Sequence, residues 1–124
     1  MSKITIYISG PMTGKPDYNW AEFENAEWEL NQLGDLNVIN PHRLNPPATV
    51  PDDDEVNWVL YLARDLNYLI SCRAVGENVI LVTLPGAKDS RGANLEMRAA
   101  RDLKIPVMGI DEFKQFYTII KQEK

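Results

Sequence analysis

The chain has 124 residues, a formal net charge of -5, one cysteine and one histidine. That length suits one domain spanning residues 1–124 with a core of its own. The acidity argues against neutralising a run of duplex phosphates, and a lone Cys72 and a lone His42 rule out an intrachain disulfide framework and a Cys/His zinc centre. No run approaches the ~20 apolar residues of a membrane span, and the first residues lead straight into a strand pattern without a signal-peptide layout. The expected compartment is the cytoplasm.

In chain order, Ile4 to Ile8 is a short β-branched run closed by Ser9-Gly10-Pro11, a buried strand followed by a turn. Asn19 is placed to cap a helix from Trp20, with Trp20, Phe23, Ala26, Leu30 and Leu33 inward and Gly34 as its stop. Asn37 to Asn40 is a second strand, ended by Pro41. Pro41 to Asp54 holds four prolines and three consecutive aspartates and reads as a long loop of the kind used as a lid or binding loop. Glu55 to Ser71 is a helix whose periodic stripe, Val56, Val59, Leu60, Ala63, Leu66 and Ile70, is expected to face the core.

Asn78 to Thr83 is the strongest strand pattern, and Leu84 to Ser90 the turn after it. A helix follows over Arg91 to Lys104 with Leu95, Ala99 and Leu103 inward, then a strand over Pro106 to Ile110. A final helix is capped by Asp111, with Phe113, Phe116, Tyr117 and Ile120 as its apolar positions. Strict β-α alternation with short apolar strands predicts an α/β fold, a Rossmann-like (flavodoxin-like) three-layer sandwich around a four- to five-stranded parallel sheet. In such sheets ligands bind beyond the carboxyl ends of the strands. Tyr7 to Gly14, Asn40 to His42 and Thr83 to Ser90 all fall at that edge, which makes Ser9, Gly10, Pro11, Met12 and Asn40 candidate substrate-binding residues.

The densest chemical signal is Asp89-Ser90-Arg91-Gly92-Ala93-Asn94-Leu95-Glu96, where a small turn opens a helix and a carboxylate follows six residues after the serine. Backbone amides at such a helix start favour an anion, so Ser90, Arg91 and Gly92 are candidate phosphate ligands. Glu96 shares a side of its helix with the small residues Ala93 and Ala100 and is a candidate nucleophile for a sugar anomeric carbon. Asp65, beside Leu62, Leu66 and Leu69, is a candidate general acid for a departing nucleobase, and Tyr7 a candidate partner of the sugar or the nucleophile. Gly10 to Lys15 resembles a phosphate-binding Walker loop only superficially, since the glycine spacing is short and Pro16 replaces the magnesium-binding hydroxyl residue.

Tyr7-Ile8-Ser9-Gly10-Pro11, Asp65-Leu66 leading to Leu69, and Ser90-x-Gly92-x-x-x-Glu96 together resemble the nucleoside 2-deoxyribosyltransferase superfamily. The likeness is greatest to the 2'-deoxynucleoside 5'-monophosphate N-glycosidases and their uncharacterised, often phage-encoded, relatives. The resemblance covers roughly Ile4 to Ile110. It implies Glu96 as nucleophile, Asp65 as the acid that protonates the base, Tyr7 near the sugar, and Ser90 and Gly92 in the phosphate-binding turn. It further implies no cofactor, no metal, and a homodimer or higher homo-oligomer with a neighbouring subunit completing the site. Serine at position 90, where the transferases commonly carry a carboxylate, favours a monophosphate substrate, because a carboxylate would repel it. The first loop departs from the glycosidase pattern, with Pro11-Met12-Thr13 where that branch has a polar and cationic pair.

Three function classes follow. One is cleavage of the N-glycosidic bond of a (deoxy)nucleoside 5'-monophosphate, or transfer to a second base. A second is a non-catalytic nucleotide-binding sensor. A third is an assembly domain in which Trp58, Tyr61, Leu62 and Tyr68 form a dimer face.

Overall fold

A computed structural model describes residues 3–12, 14–44 and 54–122. The elements are β1 (Ile4–Ser9), α1 (Trp20–Leu33), β2 (Leu36–Ile39), α2 (Pro41–Leu44), α3 (Asp54–Ala74), β3 (Asn78–Thr83), α4 (Arg91–Asp102), β4 (Val107–Gly109) and α5 (Ile110–Gln122). Short 3-10 turns at Pro16–Asn19 and Ala87–Asp89 precede α1 and α4. The four strands form one parallel sheet in the order β2-β1-β3-β4. The fold is an α/β Rossmann-like three-layer sandwich, as expected from the alternation.

Side-chain alternation in the central strands divides the core. Ile6 and Ile8 of β1, with Ile80 and Val82 of β3, pack under α1 and α5 against Phe23, Ala26, Leu30 and Phe113. Each fully buried side chain of this kind contributes about 1.5–3 kcal/mol. On the opposite face Tyr7 and Leu81 pack against Leu69 and Cys72 of α3 and Ala93, Met97 and Ala100 of α4. Tyr7 and Ser9, two residues apart on β1, therefore point to the α3–α4 side.

Several local expectations shift. The Pro41 to Asp54 segment begins with α2, where the Asn40 side-chain oxygen accepts from the His42 amide, so it is not loop throughout; its stretch over 45–53 lies outside the described residues, as does Thr13 of the first loop. Trp20 is 51% exposed rather than core, because α1 begins at that residue and its buried stripe runs through Phe23, Ala26 and Leu30. Asn19 stands at the helix start in a left-handed conformation and gives no side-chain cap; its amide donates to Glu22 instead. Asp111 lies inside α5, whose first turn is closed by Glu112 accepting from the Gly109 amide. In α4 the inward positions are Ala93, Glu96, Met97 and Ala100, while Leu95 is exposed.

The largest correction concerns α3. Its buried side carries Asn57, Asp65, Leu69 and Cys72, whereas Val56, Val59 and Ile70 of the expected core stripe are exposed. Trp58, Tyr61 and Leu62, proposed above as a dimer face, instead line the cleft inside the chain, and Tyr68 packs against the second core cluster. Among the described residues no helix is long and apolar enough to cross a membrane.

Candidate active site

The sheet order reverses between β1 and β3, since β1 is followed by β2 on one side and by β3 on the other. The loops leaving β1 and β3 part at this switch point, and a cleft of about 290 Å³ opens there. Gly10, Met12, Gly14, Lys15 and Tyr18 form one wall, Asn57, Trp58, Tyr61, Leu62 and Asp65 of α3 a second, and Ser90, Gly92, Ala93 and Glu96 a third.

Glu96 is the best-defined group in it. Ala93 and Ala100, 1% and 0% exposed, sit one turn away on each side and let α4 lie close to the sheet. The carboxylate is thereby brought to the end of β1, where Tyr7 Oη donates to Oε2 at 2.6 Å and Ser9 Oγ donates to Oε1 at 2.8 Å. Each oxygen thus holds one fixed donor and keeps lone-pair capacity facing the cleft. Burial raises the Glu96 carboxyl to about 7, while the Tyr7 and Ser9 hydrogen bonds pull the other way and do not cancel it.

Burial, followed by the charges of Glu96 and Asp65, holds the Tyr7 phenol well above its ordinary value, so it stays a donor at neutral pH. Asp65 acts on that hydroxyl both as a charge and as a hydrogen-bond partner. The hydroxyl on β1 is thus hydrogen-bonded to the carboxyl group from α4 and feels the one from α3.

The start of α4 forms another part of the cleft. Ser90 is its N-cap, with Oγ accepting from the Ala93 amide at 3.3 Å. The amides of Arg91 and Gly92 fall in the first turn, where N–H groups have no intrahelical partner and favour an anion. An adjoining lobe of about 400 Å³ is bounded by Pro11, Lys15, Glu55, Trp58, Gly86, Asp89, Ser90, Arg91 and Gly92. Gly86 turns the chain out of β3 at φ +86, a conformation that favours glycine. A Cβ at position 92 would stand 3.4 Å from Trp58 Nε1, so the absence of a side chain there keeps the indole and the helix start adjacent.

The expected site residues are distributed as follows. Asp65, Ser90, Gly92 and Glu96 line the main cleft together with Gly10 and Met12, and Tyr7, buried beside it, joins them through its hydrogen bond to Glu96. Ser9 is fully buried and holds Glu96 rather than lining the cleft. Pro11 borders the adjoining lobe. Asn40 is not a wall residue: its amide donates to Glu27 and its carbonyl caps α2. The Arg91 guanidinium stacks 3.8 Å over the Trp58 ring and pairs with Glu55 at 3.1 Å, so its charge is shared along the rim.

The sequence reading missed Lys15 and Tyr18 in the first loop and Asn57, Trp58 and Tyr61 on α3. A signal for the last group was present: Asn57, Tyr61 and Asp65 recur every four residues, a polar and aromatic stripe on one helix face. Asp17, Tyr18 and Asn19 all have left-handed backbone, at φ 49, 53 and 65, which costs about 1–2 kcal/mol per residue. No sequence pattern announces that turn. Among the described residues no group of three or more His, Cys, Asp or Glu side chains could hold a metal ion.

Fold and site together define a Rossmann-like α/β protein with a carboxylate-bearing cleft at the carboxyl edge of its parallel sheet. The chain belongs to the family described as a domain of unknown function, DUF4406, whose model matches residues 4–109. No curated protein matches the chain, and no solved structure matches it.

Proposed function

We propose that the protein cleaves the N-glycosidic bond of a (deoxy)nucleoside 5'-monophosphate, with Glu96 as nucleophile. The observation that carries this reading is the buried Glu96 carboxyl, fixed by Tyr7 and Ser9 in the cleft that Asp65 also lines. Retaining glycosidases hold their two carboxyl groups about 5 Å apart, and that is the separation this reading requires of Glu96 and Asp65. Oriented carboxylates of this kind suit covalent catalysis at an anomeric carbon.

In the first step a Glu96 oxygen attacks C1', the C1'–N bond breaks, and its electron pair leaves with the base while Asp65 supplies the proton. The sugar is then held as an ester of Glu96. In the second step Asp65, now a carboxylate, takes a proton from water as the water oxygen attacks C1', releasing sugar phosphate and restoring Glu96. Tyr7 and Ser9 hold the nucleophile through both steps. Tyr18, Trp58 and Tyr61 offer apolar faces to a planar base. The start of α4 and Lys15 favour the 5'-phosphate.

The test is incubation of the purified protein with each common ribo- and deoxyribonucleoside and its 5'-monophosphate, with and without a second free base, followed by chromatography. Free base released from monophosphates by the wild type and not by Glu96→Ala supports the reading. A new nucleoside or nucleotide would mean base transfer. Binding without any product would mean a nucleotide sensor.

A further inference from the structure

The cleft does not end at the start of α4. Lys15, Trp58, Ser90 and Gly92 border both the main cleft and the adjoining lobe, so the two compartments meet there. Glu96 and Asp65 line only the main cleft, while Arg91 and Glu55, earlier in the same two helices, line only the lobe. The compartments therefore lie in series along α3 and α4. Glu96 follows Ser90 by six residues, on the order of 9 Å along the helix axis. A sugar whose C1' meets Glu96 thus places its 5'-phosphate at the shared boundary. Beyond that boundary remains a lobe of about 400 Å³, larger than the inner cleft of about 290 Å³.

Boundary and lobe differ in charge. The boundary offers donors: the Lys15 ammonium, the Gly92 amide in the first turn of α4, and the Trp58 indole, whose Nε1 lies 3.4 Å from where a Cβ of residue 92 would stand. They suit one phosphate. Among the described residues, those that line only the lobe carry two carboxylates, Glu55 and Asp89, against one guanidinium, Arg91, which Glu55 already engages at 3.1 Å. A second phosphate there would meet an excess of negative charge. Carboxylates accept hydrogen bonds and do not donate them, so the lobe suits a neutral group rich in hydroxyl donors.

We propose that the substrate continues past its 5'-phosphate into this lobe as a phosphodiester, with the sugar of a second nucleoside presenting its hydroxyls to Asp89 and Glu55. The orientation of the reacting nucleotide rests on the glycosidase reading above, and the substrate class changes from a free monophosphate to a 5'-linked one. A phosphodiester carries one negative charge and a terminal phosphate close to two. The single charge matches a boundary whose one cationic side chain is Lys15.

The experiment is calorimetric titration of Glu96→Gln, which keeps the shape of the site and prevents turnover. Three ligands are compared for each common deoxynucleoside: its 5'-monophosphate, its 5'-diphosphate, and the dinucleoside monophosphate with uridine on the 5' side. The dinucleoside monophosphate is expected to bind about tenfold tighter than the monophosphate, the worth of one hydrogen bond to a charged group. The diphosphate is expected to bind no tighter than the monophosphate. Asp89→Lys in the same background should strengthen the diphosphate and weaken the dinucleoside monophosphate. Equal binding of the monophosphate and the dinucleoside monophosphate overturns the proposal, as does a diphosphate that binds tightest or an order that Asp89→Lys leaves unmoved. Wild-type chromatography on the same ligands separates this from the reaction. Base released from monophosphates without the binding preference sinks the extended substrate alone. The expected binding order without base release from any ligand sinks the reaction and leaves the lobe assigned. Absence of binding by all three ligands overturns both.

Discussion

The Tyr7 hydroxyl donates to Glu96 at 2.6 Å across 89 positions of sequence, joining β1, one of the two central strands of the sheet, to the helix that follows β3. With Ser9 on the other oxygen, it fixes a carboxylate that is only 5% exposed. The candidate chemistry depends on the balance between what burial costs this group and what the two hydroxyls return.

That balance makes stability depend on pH. Glu96 is raised from 4.5 to about 7 in the folded protein, so the folded state binds the proton more tightly than the unfolded chain. The resulting stabilisation is fully present below about pH 4.5 and is lost as pH rises through about 7. Its size is on the order of 3 kcal/mol. Glu96→Gln removes the ionisation with little change of shape. Relative to wild type it should gain stability between about pH 5 and pH 8. Urea unfolding at several pH values checks this, and a difference that is constant with pH would contradict it.

The same ionisation should set the acid limb of the reaction. The nucleophile is the carboxylate, so kcat/KM on a nucleoside 5'-monophosphate should rise with pH through about 7. Ser9→Ala and Tyr7→Phe each remove a donor that favours the ionised form, and each should move that limb to higher pH. A pH–rate profile of the three proteins reads the effect. An unmoved limb in both variants would place the controlling ionisation elsewhere.

Asp65→Asn should lower kcat on natural substrates by about 10²–10⁴-fold, the usual contribution of a positioned acid. A substrate whose leaving group needs no proton should lose far less with the same variant. Steady-state rates on the two substrate types separate a proton donor from a residue that only shapes the cleft, since the latter would depress both equally.

Ser90 carries two roles that substitution can divide. As N-cap of α4 it should cost about 1 kcal/mol of stability on replacement by alanine and only a few tenths on replacement by glycine. If the α4 start also holds phosphate, Ser90→Gly should raise KM for a monophosphate and leave KM for the corresponding nucleoside unchanged. Equal effects on both substrates would remove Ser90 from the phosphate site.

The alternation of short apolar runs with helical periods determined the parallel sandwich, because strand and helix periods are local properties of the chain. The run Ser90 to Glu96 likewise announced a capped helix with a carboxylate on the small-residue side, since cap chemistry and helical spacing act over a few residues. Which face of α3 turns inward was decided by the tertiary structure. Periodicity locates an apolar stripe but does not say whether its own chain covers it, and here the covered face carries Asn57, Tyr61 and Asp65 instead of Val56, Val59 and Ile70. The pairing of Tyr7 with Glu96, the reach of Asp65 to the same hydroxyl, and the entry of Lys15 and Tyr18 into the cleft were also set there. These are contacts between segments far apart in sequence, and such contacts exist only after the sheet has brought the ends of β1 and β3 side by side.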